Sequence, residues 1–156
     1  SPDFRLIEPT DVTREFMGRL SEYSVEYITE SCDRSLMPIG LIDAAHRSAF
    51  DKTLPYQFWG LFDETGLCGY ALTQYSQGER GREMNITQAF ISKNHRSNGV
   101  QELTIAEFEK FGRANGCAYL TSSTKRGSPD AYVRWMGKCG FQKRCVVVEK
   151  LLGGGN

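Results

Sequence analysis

The stretch AFISKNHRSNGVQELTIAEFEKFG, residues 89–112, passes from an apolar run through a polar, glycine-punctuated turn into a helical pattern. Its first residues end a strand. Leu103, Ile105, Ala106, Phe108 and Phe111 then share one broad helical face, closed by the Ala-Asn-Gly of residues 114–116. Arg96, Ser97, Asn98 and Gly99 stand between the two. An ordinary connecting loop is one reading of them. A helix N-terminus, however, presents N–H groups without internal partners and carries a partial positive charge, so the same turn can hold a phosphate. Gly99 would let the backbone close around that anion, and Arg96 would add a charge-assisted hydrogen bond.

Outward from this junction the elements alternate. EMNITQAFIS, residues 83–92, is the strand that enters the turn, and it follows the polar loop GERGR. Before it, YQFWGLFD (56–63) and LCGYALTQYSQ (67–77) flank the short turn Glu-Thr-Gly and predict an antiparallel hairpin. At the start, DFRLIE (3–8) alternates as a strand does and stops at Pro9, after which Thr10 or Asp11 can cap a helix. Val12, Phe16, Leu20, Tyr23 and Tyr27 recur at spacings of three and four, predicting a helix from Val12 to about Ile28. LIDAAHRSAFDK (41–52) resumes helical spacing before Pro55. Beyond the junction, CAYLTSS (117–123) predicts a strand, SPDAYVRWMGKCG (128–140) a helix with Ser128 as cap and Pro129 at its first position, and FQKRCVVVEKLL (141–152) a final strand. The order is βααβββαβαβ, an α/β (α+β) arrangement in which a mixed sheet of about six strands is flanked by about four helices. Residues 1–152 are expected to form one domain, with 153–156 a flexible tail.

Composition narrows the classes of partner. Nineteen basic residues cancel nineteen acidic ones, so no global field draws the chain to nucleic acid or to anionic lipid. The five cysteines are odd in number and scattered without a Cys-x-x-Cys pair, which argues against a disulfide framework or a cysteine-based zinc site and for a reducing compartment. No apolar run reaches the roughly 18 residues of a membrane span, and SPDFRLIEP lacks a basic region followed by an apolar core. A cytoplasmic setting is therefore expected, without nucleic acid or membrane as partner.

Arg96-Ser97-Asn98-Gly99-Val100-Gln101 resembles the principal motif [QR]-x-x-G-x-[GA] of the GNAT superfamily of acetyl-coenzyme A-dependent N-acetyltransferases, with Gln101 standing where that motif has a small residue. YVRWMGKCGF is similar to the family's aromatic-rich fourth helix ending in Gly-Phe, here Gly140 and Phe141, and LFDETGLCGYALTQY to the hairpin before the motif. The likeness extends from FRLIEPTD to GFQKRCVVVEK. It implies a GNAT-like domain that transfers an acetyl group from acetyl-CoA to a primary amine by direct attack on the thioester. By the same resemblance, the backbone at Phe90 and Ile91 pairs with the pantetheine arm like an added strand, and Arg96, Ser97, Asn98, Gly99, Val100 and Gln101 hold the pyrophosphate.

The resemblance also locates the catalytic positions. Many family members carry a carboxylate six residues before the position of Ile91, which here is Asn85 and cannot act as a base. Glu83 shares a strand face with Asn85 and Thr87 and is the available carboxylate, acting through water. The family's tyrosine in the fourth helix falls at Met136, which cannot donate a proton, so Tyr132, one turn away, is the candidate acid. The altered positions leave a second reading open: a catalytically silent GNAT-like domain serving as a binding or structural component of an assembly.

Other groups carry less. His46 and His95 have no carboxylate or cysteine at metal spacing, so no metal site is expected; His95 could touch phosphate from within the loop. Lys125 and Arg126 could meet the nucleotide end. Ser122, Ser123 and Thr124 lack a nucleophile-elbow context and a base. By the resemblance, residues 27–43 wall the acceptor, where Glu30 and Asp33, with Glu26 just before the segment, would attract a cationic amine, either a small molecule or a protein amine; a homodimer or an assembly partner is compatible with the sequence.

Overall fold

A computed structural model describes residues 2–31, 33, 36–97, 99–124 and 129–153. Asn98, Cys32, Lys125, Arg126 and Ser128 lie outside them. The first strand, β1 (Asp3–Leu6), is followed by a 3-10 turn at Pro9–Asp11, where Arg5 donates to both Asp11 carboxylate oxygens at 2.6 and 2.8 Å. Helices α1 (Arg14–Ser31) and α2 (Pro38–Phe50) come next, the second with its proline in the first turn, where a missing N–H leaves no helical bond unmade. Strands β2 (Tyr56–Asp63), β3 (Gly66–Gly78) and β4 (Gly81–Ile91) form consecutive antiparallel pairs. Helix α3 (Val100–Ala114), strand β5 (Tyr119–Ser122) and helix α4 (Pro129–Gly137) complete the order.

The sheet runs β1-β2-β3-β4-β5, antiparallel except for the parallel β4–β5 pair. Alternation along the central strands sends successive side chains to opposite faces. Phe58, Tyr70, Leu72 and Phe90 pack with Phe16 and Leu20 of α1 and Leu41 and Ala45 of α2. Trp59, Leu61, Met84 and Ile86 pack with Ile105 and Phe108 of α3 and Met136 of α4. The result is a mixed sheet between two helical layers, as the sequence predicts.

One expected element is not realised. Residues 141–152 form no strand, and Val147 and Val148 are 86% and 88% exposed. A run of valines carries β propensity but no backbone partners of its own; pairing depends on an edge that accepts it. Here the segment's root is instead fixed by Arg144, which donates to Glu83 at 3.0 Å. The described sheet therefore has five strands. None of the described helices is long and apolar enough to cross a membrane.

Candidate active site

Two departures from regular pairing shape the end of β4. Leu72 pairs with Gln88 while its neighbour Thr73 pairs with Ile86, so Thr87 is left outside the ladder as a bulge. On the other side, β5 pairs only with Glu83, Met84, Asn85 and Ile86. Beyond Ile86 the two parallel strands part. Among the described residues, residues 88–91 are paired to β3 alone, and their second edge presents backbone N–H and C=O groups to any extended ligand with amides of its own.

That open edge leads into the turn ahead of α3. Lys93–His95 form a short 3-10 segment, and Gly99 sits at the helix N-cap with φ +77° and ψ 11°, in the left-handed region. A Cβ there would meet nothing closer than Glu102 Oε2 at 3.9 Å, so conformation rather than space calls for glycine. No side chain caps this N-terminus, and the first amides of α3 have no helical acceptor. A helix start of this kind can accept an anion, and it follows the open strand edge in the chain. Glu102 in the first turn sets the only opposing charge there among the described residues.

The side chains expected to bind are disposed differently from the expectation. Arg96 does not point freely at the turn: Nε donates to the Ile91 carbonyl at 2.7 Å, and Nη2 donates to both Glu30 oxygens at 3.0 and 2.9 Å. It ties the end of α1 to the end of β4. Gln101, whose bulk departs from the small residue of the motif, donates its amide to Met136 Sδ at 3.7 Å. Phe90 and Val100 are buried core residues, so only their backbone can face a ligand; Ile91 is half-buried and Ser97 exposed.

Glu83 is the clearest correction. Its carboxylate is buried and accepts from Arg80 at 2.9 Å and from Arg144 at 3.0 Å. The Arg80 hydrogen bond, against the opposing effect of burial and with help from Arg144, holds its pKa below the usual carboxylate range. A carboxylate so stabilised is a poor base, and it pairs with Tyr119, about 10 Å of strand before the divergence. Glu83 is an anchor for the segment after α4. Asn85 stands closer, next to the last paired residue. Its Nδ2 donates to Thr121 Oγ1 at 3.0 Å, and Thr87 Oγ1 donates to its Oδ1 at 3.3 Å, so Asn85 and Thr87 share a face as strand alternation requires.

Tyr132 is where a proton donor at the divergence would be. Its hydroxyl hydrogen-bonds Ser122 Oγ at 2.5 Å, and Ser122 is the final β5 residue, opposite Ile86. Met136 is in the core. On the α1 side, Tyr27 donates to Asp33 Oδ2 at 2.8 Å, and burial first, then this carboxylate, push the Tyr27 hydroxyl pKa up, with Tyr132 near enough to add to the shift. Tyr70, buried beneath them, donates to Gln88 Oε1 at 2.6 Å and is likewise raised, chiefly by burial. Tyr27 on α1 and Tyr132 on α4 thus come near one another, with Asp33 bonded to the first. Only Asp33 and Tyr132 of this set stand out in the sequence; Tyr27 reads there as a plain member of an apolar stripe.

His95 is also engaged. Its Nδ1 lies 2.7 Å from Ser92 Oγ and its Nε2 2.8 Å from Asp63 Oδ2. Asp63 accepts from the Thr65 hydroxyl and amide, which with His95 bring its pKa down to about 2. The network braces the turn against the end of the β2–β3 hairpin.

No family model and no curated protein matches the sequence. Solved structures match the fold. An aminoglycoside N-acetyltransferase in complex with CoA superposes with TM-score 0.73 at 13% identity, covering 98% of this chain and 95% of that one. A GNAT family acetyltransferase from Staphylococcus aureus gives TM-score 0.68 at 17% identity, with coverage of 97% and 99%. A ribosomal-protein-alanine N-acetyltransferase from Brucella melitensis biovar Abortus gives TM-score 0.68 at 14% identity, covering 97% of this chain and 100% of that one. At these identities the likeness establishes the fold, which is that of the GNAT superfamily.

Proposed function

From the GNAT fold that this chain carries, we propose that it is an N-acyltransferase that moves an acetyl group from acetyl-CoA to a primary amine. The observation that carries this is the parting of β4 and β5 after Ile86 directly beside an uncapped helix N-terminus with Gly99 in the left-handed region. In this reading the pantetheine amides pair with the free edge of residues 88–91. The pyrophosphate lies on the first amides of α3, where fixed N–H dipoles oppose its charge.

The thioester is then at the divergence, between the bulge at Thr87 and the Tyr132 hydroxyl. A backbone N–H freed by the bulge polarises the carbonyl, and the oxyanion that forms as the amine attacks is stabilised there. The amine must arrive neutral. Glu83 is bound to two arginines, so deprotonation falls to water held by Asn85 and Thr87. Tyr132 returns a proton to the departing CoA thiolate. Glu26 near the end of α1 and Asp33 just beyond it leave the acceptor side acidic even though Glu30 is paired with Arg96, which suits an amine that binds as a cation, in a small molecule or at a protein N-terminus or lysine.

Calorimetric titration with acetyl-CoA, repeated with acetyl-pantetheine, tests the binding half. Micromolar binding that is lost without the pyrophosphate is the expected result, and absence of binding at millimolar ligand overturns the proposal. Thiol release in a panel of polyamines, aminoglycosides and peptides tests turnover. A specific observation favours a second reading, a coenzyme-binding domain without turnover: both the sequence's candidate base and its motif arginine are already ion-paired. CoA binding with no thiol release from any amine selects it.

A further inference from the structure

Outside the strand divergence, the described residues bring together three different metal-ligating side chains that the sequence keeps apart. Asp63 ends β2, Cys68 lies on β3, and His95 ends the 3-10 segment before Arg96. One carboxylate oxygen, the thiol sulfur and one imidazole nitrogen all lie within 4.8 Å of one another. Scattered spacing conceals such a set, because its members arrive from three elements rather than from one short motif.

We propose that Asp63, Cys68 and His95 bind a divalent transition-metal ion, zinc by preference, with a water molecule completing a tetrahedral site. The donor set combines one thiolate, one imidazole and one carboxylate, which suits a borderline ion better than magnesium or calcium. Zinc bonds of about 2.0 to 2.3 Å in tetrahedral geometry separate the donors by about 3.3 to 3.6 Å. The His95 Nε2 to Asp63 Oδ2 contact of 2.8 Å must therefore open by about half an ångström. Cys68 Sγ moves inward to meet the ion.

The surrounding contacts are those a ligand set needs. Ser92 Oγ on His95 Nδ1 orients the ring, and Thr65 holds Asp63 Oδ1 through its amide at 2.8 Å and its hydroxyl at 2.6 Å, leaving Oδ2 for the ion. In the free chain Nε2 donates to Asp63; on binding it gives up that proton, and the neutral imidazole carries its proton on Nδ1 and donates to Ser92, whose hydroxyl oxygen accepts it. The Cys68 proton leaves to solvent. Burial pushes the free thiol up to about 11, and coordination must overcome that. Asp63 and the thiolate then balance the two positive charges. Arg19, held on the Leu67 carbonyl at 3.1 Å, is the cation facing the site, and Glu64 adds a further negative charge near the thiol. Such an ion would pin the turn that precedes Arg96 to the β2–β3 hairpin, independently of any acyl transfer.

The test is titration of the reduced full chain with cobalt(II), read by visible d–d bands and the near-ultraviolet thiolate-to-metal band, then displacement by zinc. One equivalent of tetrahedral, thiolate-bound cobalt is expected, with zinc raising the melting temperature. A variant with Cys32, Cys117, Cys139 and Cys145 replaced by serine must keep the spectrum. Cys68→Ala must lose the thiolate band, and His95→Gln, which keeps a polar side chain in the turn, must lose tetrahedral binding while retaining the native circular dichroism. Ser92→Ala should weaken binding about 10- to 100-fold. No band in the wild-type chain, or a band that survives Cys68→Ala, overturns the proposal.

Discussion

Replacing Gly99 by alanine separates the two demands that the turn before α3 must meet. Gly99 holds φ +77°, and an added Cβ would approach only Glu102 Oε2 at 3.9 Å, so the substitution introduces backbone strain without a clash. Holding an L-residue in the left-handed region costs about 1 to 2 kcal/mol. If the alanine variant keeps the native turn, that strain is carried by the free protein, and the melting temperature falls by about 2 to 8 °C for a chain of this size. If the turn relaxes instead, stability is largely retained, but coenzyme binding must restore the native geometry and loses about 5- to 30-fold in affinity. The two effects draw on the same free energy, so together they sum to about 1 to 2 kcal/mol. Asparagine, which enters this region with less strain, should recover most of the loss. Thermal melts and CoA titrations of Gly99→Ala and Gly99→Asn measure both. An alanine variant unchanged in melting and in affinity refutes the argument, as does an asparagine variant that is no better than alanine.

Three other substitutions test neighbouring parts of the structure. Because Arg80 and Arg144 hold the Glu83 pKa low, its contribution is present above the unfolded-state value and is lost as pH falls through the folded one; Glu83→Gln should flatten the loss of melting temperature as pH falls below the ordinary carboxylate range. The same variant should keep any acyl transfer, since the carboxylate is an anchor; a turnover defect larger than about tenfold with intact folding would reinstate it as the base. Tyr132→Phe removes the hydroxyl bonded to Ser122 at the divergence, so kcat should fall by about 10- to 100-fold while the Kd for acetyl-CoA stays put; an unchanged kcat assigns Tyr132 to packing. Glu30→Gln releases the Arg96 guanidinium from an ion pair that is partly exposed and of the order of 0 to 1 kcal/mol, and should tighten CoA binding by up to about fivefold; weaker binding would make the pair a brace that the site requires.

The fold was open to reading because its determinants are local and periodic. Alternation in DFRL, the aromatic-rich runs on either side of the Glu-Thr-Gly turn, the three-and-four spacing of Phe16 and Leu20, and Gly99 between a strand and a helix each act within a few residues, and the structure realises the elements they predict. Residues 141–152 were misleading for the complementary reason. Three consecutive valines state a preference for a strand, whereas pairing is a property of the edge that receives them, and here Glu83 draws Arg144 instead. The site shows the same division more sharply. Gly99 works through its own φ and could be identified from its position alone. Arg96 and Glu83 work through charge, and charge is decided by whatever the fold brings opposite: Glu30 across 66 residues for one, Arg144 across 61 for the other. A residue type at the right offset therefore marks where a charged group stands but leaves its task to the partner. That is why the geometry of the turn to which phosphate binding is assigned under the proposed function, made of backbone, is more legible in the sequence than the partners of its charged side chains. Under the proposed acyl transfer, the candidate groups are accordingly those at the strand divergence, Tyr132, Ser122, Asn85 and the bulge at Thr87, rather than the carboxylate held by two arginines.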